Sequence, residues 1–229
     1  MTSTDTAFTI TAAEMASYID HTLLKPDATI SALETLCAEA ISSGFKAVCI
    51  NSAHVAYAAG KLHESGVVVC TVVGFPLGAM HMRAKAFEAE NALVDGAQEL
   101  DMVLNVGALK SGDLKTVEAD ITAVRRVAER SAVLKVIIET CLLTEEEKIK
   151  ACEIAKQAGA DFVKTSTGFS SGGATVEDVA LMRRVVGNEM GVKASGGIKD
   201  YATAVAMVKA GANRLGVSAG IAIIEGAPK

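Results

Sequence analysis

The sequence predicts a single (β/α)8 TIM barrel, because eight strand-like segments alternate with helical ones and the helical segments end in a repeated glycine signal. The chain has 229 residues, and one such barrel typically takes about 250. A doubly wound parallel sheet is the alternative, but neither phosphate-binding fingerprint typical of it, GxGxxG or GxxxxGK[ST], occurs here. We therefore interpret residues 1–229 as one barrel domain with a short N-terminal extension.

Seven short runs rich in β-branched residues predict strands, and a weaker run before the first long helix predicts the eighth. No change of composition between them marks a linker. In chain order, the predicted strands are Tyr18–Thr22, Lys46–Asn51, Val67–Phe75, Glu99–Val106, Val133–Thr140, Asp161–Thr167, Val192–Gly197 and Arg214–Ala219.

Helical patterns fill the intervals between the strands. Some begin with a capping residue followed by acids, as at Thr144, which precedes three glutamates. Five end at a glycine, which provides the left-handed residue that turns a chain out of a helix. The predicted helices are Thr29–Ser43, Ser52–Ser65, Ala79–Asp95, Asp113–Arg130, Thr144–Ala158, Thr175–Asn188 and Asp200–Ala210, with a further short helix after the last strand.

The composition suits buried parallel strands and excludes several kinds of protein. Half of the residues are hydrophobic, but only 4% are aromatic and none is Trp. The net charge of −5 gives no basic surface for nucleic acid. No apolar stretch approaches the roughly 18 residues of a membrane span, and the first residues do not resemble a secretory signal. We expect a cytoplasmic protein whose acidic outer helices are compatible with a monomer or a homodimer.

One aspartate and three lysines stand out inside four neighbouring predicted strands, because side chains there are expected to be buried away from water. They are Asp101, Lys135, Lys164 and Lys193. Lysine is almost never fully buried unless it is paired or functional. In a barrel, inward side chains near the carboxyl ends of the strands form the active site, so these residues indicate where the chemistry takes place.

Two lysines close together favour Schiff-base chemistry. Burial and a second positive charge both disfavour the ammonium form, and the resulting free amine attacks carbonyl carbons. The alternative is that one lysine merely neutralises Asp101. The strands offer three lysines, whereas neutralising Asp101 would need only one, and this excess favours the catalytic interpretation.

Glycines at the ends of the last three strands predict a phosphate site. Loops after the seventh and eighth strands of barrels often bind phosphate through backbone N–H groups, beside a short helix. Here those strands end in Ser195-Gly196-Gly197 and in Gly216-Val217-Ser218, and Thr167-Gly168 follows the sixth strand.

The sequence predicts neither a metal nor a cofactor. The four histidines show no ligand spacing, although His21, beside Asp20, is expected to border the site. The five cysteines form no CxxC pair, and we expect them to be reduced, most of them buried. No Gly-x-Ser-x-Gly motif supports a serine hydrolase.

Segments along nearly the whole chain resemble the deoxyribose-phosphate aldolase family, the DeoC-type class I aldolases. The Lys-Thr-Ser-Thr-Gly and Lys-Ala-Ser-Gly-Gly-Ile sequences that begin at Lys164 and Lys193 are the most specific. The matching segments are Asp20–Leu24, Ala47–Asn51, Val73–Gly78, Glu99–Asn105, Lys135–Thr140, Phe162–Phe169, Val192–Ile198 and Arg214–Ser218.

The resemblance implies reversible cleavage of 2-deoxy-D-ribose 5-phosphate to D-glyceraldehyde 3-phosphate and acetaldehyde, without a cofactor. It makes Lys164 the Schiff-base lysine, Lys193 the cation that favours its free amine, and Asp101 the proton-transfer residue, acting through a water. The residues expected to contact the substrate or its phosphate are Asp20, Thr22, Lys135, Thr167, Gly168, Gly196, Gly197, Gly216 and Ser218.

The sequence departs from the family pattern at two places. Some family members carry a lysine where this chain has Phe169, and some end in a tyrosine that reaches the site, whereas this chain ends Ala227-Pro228-Lys229. The alternatives are another phosphosugar barrel, such as a transaldolase-like enzyme or an isomerase, and a non-catalytic barrel that binds a sugar phosphate.

Overall fold

Eight parallel strands close into a barrel in the computed structural model, in which residues 9–129 and 131–228 are described. Each strand pairs with its neighbours in sequence, and the last pairs with the first. The predicted fold is confirmed, including its weak first strand. The strands are β1 (Ile19–Leu23), β2 (Ala47–Ile50), β3 (Val68–Val73), β4 (Glu99–Val103), β5 (Val133–Ile137), β6 (Phe162–Lys164), β7 (Gly191–Ser195) and β8 (Arg214–Val217).

Helices form the outer layer of the barrel. No helix in the described ranges is both long and apolar enough to cross a membrane. The helices are α1 (Ala12–Ala16), α2 (Ile30–Ser43), α3 (Val55–Lys61), α4 (Met82–Val94), α5 (Val106–Lys110), α6 (Leu114–Ala128), α7 (Glu145–Gln157), α8 (Val176–Val186), α9 (Tyr201–Lys209) and α10 (Gly220–Glu225).

Two of these helices were not predicted, and side-chain caps explain both. Thr11 and Glu14 form a reciprocal capping box that starts α1. The side chain of Asn105 accepts a hydrogen bond from Ala108 N, which starts α5 and ends the predicted strand Glu99–Val106 early. The predicted helix Ser52–Ser65 is shorter in the structure, as a 3₁₀ turn followed by α3.

Residues 1–8, which belong to the predicted N-terminal extension, lie outside the described residues, as does Arg130, the last residue of the predicted helix Asp113–Arg130.

The main apolar core lies between the strands and the helices. On β4, Leu100 and Met102 belong to this core, while Glu99 and Asp101 alternate with them and face the barrel interior. The same alternation places apolar residues outward on the other strands. Because stability comes largely from this outer layer, the interior is free to hold polar groups.

We expect Gly78→Ala to destabilise the fold much more than Gly112→Ala. Both glycines have positive φ angles, +65° and +73°, but a Cβ on Gly78 would lie 2.1 Å from the Leu104 carbonyl oxygen, whereas one on Gly112 meets no atom within 4 Å. Backbone strain alone should lower the free energy of unfolding by about 1 kcal/mol in either variant. The clash should raise this loss to roughly 3 kcal/mol at Gly78. Urea unfolding measures both losses, and equal losses would contradict the close approach.

Candidate active site

Asp101 of β4 is the centre of a charged cluster inside the barrel. Its carboxylate is completely buried. Oδ2 accepts hydrogen bonds from the Nζ atoms of Lys164 and Lys193, both at 2.7 Å. Oδ1 accepts one from the Nζ atom of Lys135 at 2.9 Å. Strands β5, β6 and β7 supply the lysines, so closure of the sheet brings three distant residues onto one carboxylate.

A second tier of charges supports this cluster. Arg214 of β8 donates to both Glu99 oxygens, at 3.1 and 2.9 Å, and its Nε donates to Asp20 Oδ1 at 2.7 Å. Glu99 Oε2 lies 2.6 Å from the Lys135 Nζ atom. Asp20 Oδ2 accepts a hydrogen bond from Lys193. Every carboxylate of the cluster therefore bonds at least two positive groups.

These contacts keep the buried groups ionised. Burial opposes ionisation of Asp101, but the three surrounding ammonium groups overcome it and hold its pKa well below the usual range. Burial also disfavours the charge on Lys193, but Asp101 and Asp20 raise its pKa well above the ordinary value. At neutral pH both groups are charged.

A cavity of about 400 Å³ opens above the cluster, at the carboxyl ends of the strands. Lys164 lines it, whereas Lys135 and Lys193 have no exposed surface. Of the three lysines that bond Asp101, Lys164 is thus the one that can meet a molecule entering from solvent. Seven of the residues expected to bind substrate also line the cavity: Thr22, Thr167, Gly168, Gly196, Gly197, Gly216 and Ser218.

Backbone packing shapes one side of the cavity. Gly196 has a φ of +84°, which favours glycine, and its carbonyl accepts a hydrogen bond from Ala174 N at 3.0 Å. A Cβ on Gly216 would lie 3.1 Å from Lys193 Cε, so glycine there lets β8 pack against the lysine. Lys25 and Lys199 add positive charge to the cavity lining.

An aromatic ring lines the cavity directly after Gly168 in the chain. Phe169, which is 51% exposed, lines the cavity. Its ring meets that of Phe75 edge-on, with the centroids 5.2 Å apart. An apolar ring therefore stands where some members of the family named above carry a lysine.

Comparison with known proteins identifies the family. The model of the DeoC/LacD family aldolases matches residues 14–226. The chain belongs to this aldolase family. Deoxyribose-phosphate aldolase from Brevibacillus brevis is 60% identical over 93% of this chain and 96% of that protein. The enzyme of the same name from Thermococcus gammatolerans is 62% identical, with the same coverage of both chains.

A solved structure shows the same architecture. The deoxyribose phosphate aldolase from Aeropyrum pernix, described as a tetramer, superimposes with a TM-score of 0.88 at 34% identity, covering 94% of this chain and 91% of that one. The (β/α)8 barrel of this aldolase family member is therefore shared with a solved relative.

Lys135 and Asp20 lie lower in the aldolase barrel than expected. Both were predicted to contact substrate, but neither has any exposed surface. The register explains the position of Lys135. Lys164 pairs with Ile137 of β5, and Ile137 is the next inward-facing residue after Lys135 in the direction of the cavity. These residues support the cluster from below and do not line the cavity.

The prediction for His21 is also wrong. Its neighbours Asp20 and Thr22 face the interior, so alternation turns His21 outward. Its Nε2 lies 2.7 Å from Glu39 Oε2, and its ring packs near that of Phe45. The histidine joins β1 to α2 and does not border the cavity.

Three buried charged residues around the site were missed in the sequence. Glu99 and Arg214 are charges at the first positions of predicted strands, a signal that was available. Glu139 follows β5 with a φ of +56°, and its carboxylate accepts hydrogen bonds from the Thr167 backbone N–H at 3.2 Å and hydroxyl at 2.5 Å. The Thr167 oxygen in turn accepts one from Phe169 N at 3.1 Å. Glu139 therefore holds the loop that edges the cavity.

Two interior cysteines lie beside the charged cluster. Cys70 Sγ donates to Asp101 Oδ1 at 3.2 Å, and its hydrogen bond with Cys49 lowers the pKa of Cys49 to about 7. Cysteines and carboxylates lie close enough together to suggest metal ligands. The carboxylates, however, already bond lysine or arginine, and these positive groups would repel a cation. As predicted, the thiols are free and most are buried.

We expect Glu139→Ala to loosen the loop of residues 167–169. The Thr167 N–H loses its acceptor, and the Thr167 hydroxyl that binds Phe169 N loses its orientation. Hydrogen–deuterium exchange of this loop should quicken about tenfold, which corresponds to one lost hydrogen bond. In Glu39→Ala, which removes a carboxylate on the outer side of β1, the loop should exchange as in the wild type. Unchanged exchange in Glu139→Ala would contradict the role given to Glu139.

Proposed function

We propose that this aldolase forms a Schiff base on Lys164 and reversibly cleaves 2-deoxy-D-ribose 5-phosphate to D-glyceraldehyde 3-phosphate and acetaldehyde. The names of the relatives support the substrate. The observation that carries the mechanism is the position of Lys164, which shares a buried carboxylate oxygen with Lys193 and lines the cavity. An isomerase would not need such a pair of lysines.

The reaction steps follow from the chemistry of the Lys164 amine, which lies beside the buried ammonium group of Lys193. The neutral Lys164 amine attacks the aldehyde carbon C1, and loss of water gives an iminium ion. When the C3 hydroxyl loses its proton, the C2–C3 bond breaks and its electron pair moves to the iminium, which leaves glyceraldehyde 3-phosphate and an enamine. Protonation of the enamine at C2 and hydrolysis then release acetaldehyde and regenerate the amine.

The cluster supplies the conditions for these steps. Lys193, held as an ammonium by two carboxylates, disfavours a second positive charge on Lys164. Asp101 is a carboxylate at rest, and it accepts and returns a proton through a water molecule that reaches the substrate. General acid–base assistance of this kind contributes about 10²- to 10⁴-fold.

The glycine-lined side of the cavity suits the phosphate group. Gly168, Gly196 and Gly197 line the cavity without side chains of their own, so a phosphate can approach their backbone N–H groups, and Ser218 adds a hydroxyl. Lys25 and Lys199 add charge at the same end of the barrel.

The free thiols of the chain support a reducing compartment, as expected for a cytoplasmic enzyme.

Borohydride trapping tests the Schiff base. Incubation with acetaldehyde followed by reduction should place an ethyl group on Lys164, located by mass spectrometry of the peptides. Lys164→Arg keeps the positive charge but should give neither an adduct nor cleavage of 2-deoxyribose 5-phosphate. An isomerase or a non-catalytic binding protein would give no trapped adduct, and an adduct that survives in Lys164→Arg would place the chemistry on another residue.

Phe169→Lys tests the phosphate side of the cavity. A partly exposed lysine there should lower the KM for 2-deoxyribose 5-phosphate about two- to fivefold, since one such ion pair contributes up to about 1 kcal/mol. The KM for unphosphorylated 2-deoxyribose should not fall. Phe169→Leu, which removes the ring without adding charge, should show no gain for the phosphorylated substrate. Equal gains for both sugars would show that the phosphate binds elsewhere.

A further inference from the structure

Six buried charged side chains form a closed ring in the barrel interior, in which cations and anions alternate. Each member bonds the next, and the last bonds the first. In order, the ring consists of Arg214, Glu99, Lys135, Asp101, Lys193 and Asp20. We call this set the charge ring.

Arg214 closes the charge ring from the side opposite Asp101. Its guanidinium group bonds Glu99 through two nitrogens and Asp20 through Nε and Nη2. A bidentate guanidinium fixes both the position and the orientation of its partners. Glu99 shares its Oε2 between Arg214 and Lys135, whereas Asp20 presents its second oxygen, Oδ2, to Lys193. Through these two links, Arg214 reaches both lysines that share Asp101 with Lys164.

The charge ring is electrically balanced without Lys164. It contains three positive and three negative groups, each with a side chain no more than 7% exposed. Lys164 is a seventh charge, and among the described residues its one ion pair is with Asp101. When Lys164 is an ammonium, the buried cluster carries one uncompensated positive charge, and when it is a neutral amine the cluster is balanced. Because water does not screen these groups, the amine of Lys164 is exposed to any change in the net charge of the charge ring.

We propose that Arg214 and Glu99 are positioning residues that set the protonation of Lys164 through the charge ring, although neither touches the cavity. The inference rests on the proposed function only in taking the Lys164 amine as the reacting group. Removing the Glu99 charge leaves the ring with one extra positive charge, which disfavours protonation of Lys164. Removing the Arg214 charge leaves one extra negative charge, which favours it. The two changes therefore act in opposite directions.

Other ionisable groups also face this interior. Cys49 of β2 and Cys70 of β3 lie beside Asp101, so every strand of the barrel contributes an ionisable side chain to it. Lys25 and Lys199 lie at the mouth of the cavity. Because Cys49 has a pKa of about 7, each measurement should be repeated in a Cys49→Ala background, in which the opposite shifts should persist.

Competitive acetylation tests the proposal without requiring aldolase turnover. The folded protein is treated with a trace of acetic anhydride at a series of values between about pH 5 and pH 10, a range that spans ordinary and lowered lysine titration. Peptide mass spectrometry then compares acetylation of Lys164 with that of exposed Lys46. The readout is the pH at which Lys164 is half-reactive, measured for Glu99→Gln, Arg214→Gln and the double variant.

We expect this half-reactive pH to move down in Glu99→Gln and up in Arg214→Gln, by about 0.5 to 1 pH unit each. The double variant removes one charge of each sign and should return close to the wild-type value. The acid limb of the pH profile of kcat/KM should move in the same directions. Structural damage alone would not produce shifts of opposite sign that cancel.

Two further variants serve as controls for this experiment. Glu99→Asp retains the charge and should stay near the wild-type value, so the comparison with Glu99→Gln stands even if Arg214→Gln does not fold. Asp120→Asn removes the charge of a buried carboxylate that bonds Lys85 outside the charge ring, and it should leave the half-reactive pH unchanged. Shifts in the same direction, no shift in Glu99→Gln, or an equal shift in Asp120→Asn would overturn the proposal. Absence of the trapped acetaldehyde adduct in the wild type would instead overturn the proposed function.

Discussion

A single carboxylate that receives three ammonium groups in a dry interior is the interaction on which the site depends. Desolvation of Asp101 and its lysines is expensive, and Coulomb attraction offsets it only when the geometry is good. That geometry exists only when β4 to β7 are held in their parallel register. The chemistry and the closure of the barrel are therefore coupled: an open sheet would admit water, and a lone buried lysine would lose its proton.

The apolar layer between the strands and the helices allows the barrel to hold a charged interior. Apolar side chains on the outward face of the strands pack against the helices and form the main core, so most of the apolar burial that stabilises the barrel lies outside its interior. Well-packed apolar residues in place of a buried ionic cluster are often neutral or stabilising. The charges inside this barrel are therefore better explained by function than by stability. The alanine- and valine-rich composition reflects the same division, because small side chains pack closely between the two layers.

Alternation along a strand, combined with the rule that lysine avoids burial, was enough to single out Asp101, Lys164 and Lys193. It specifies the face on which a residue lies but not its height in the barrel, which depends on the register between strands. That is why Lys135 was expected in the cavity although it lies one inward position below Lys164. The helix after β4 depends on a side-chain cap at Asn105 that interrupts an apolar run. Glu139 was missed because its partner, Thr167, lies on another strand end, and only the closed barrel brings the two together.

Lys164 is the point at which two otherwise separate parts of the barrel meet. Its amine bonds Asp101 below and lines the cavity above, whereas the groups of the charge ring lie beneath the cavity and the glycines and Phe169 lie around its mouth. Substrate recognition and activation of the amine therefore use different residues, and a change in one need not disturb the other. A substitution at the mouth alters which molecules enter, because it changes the shape and charge of the lining. A substitution in the charge ring alters the charge balance felt by Lys164, whatever molecule has entered. The two kinds of variant should thus be separable, since the first changes the dependence of the rate on the substrate and the second changes its dependence on pH.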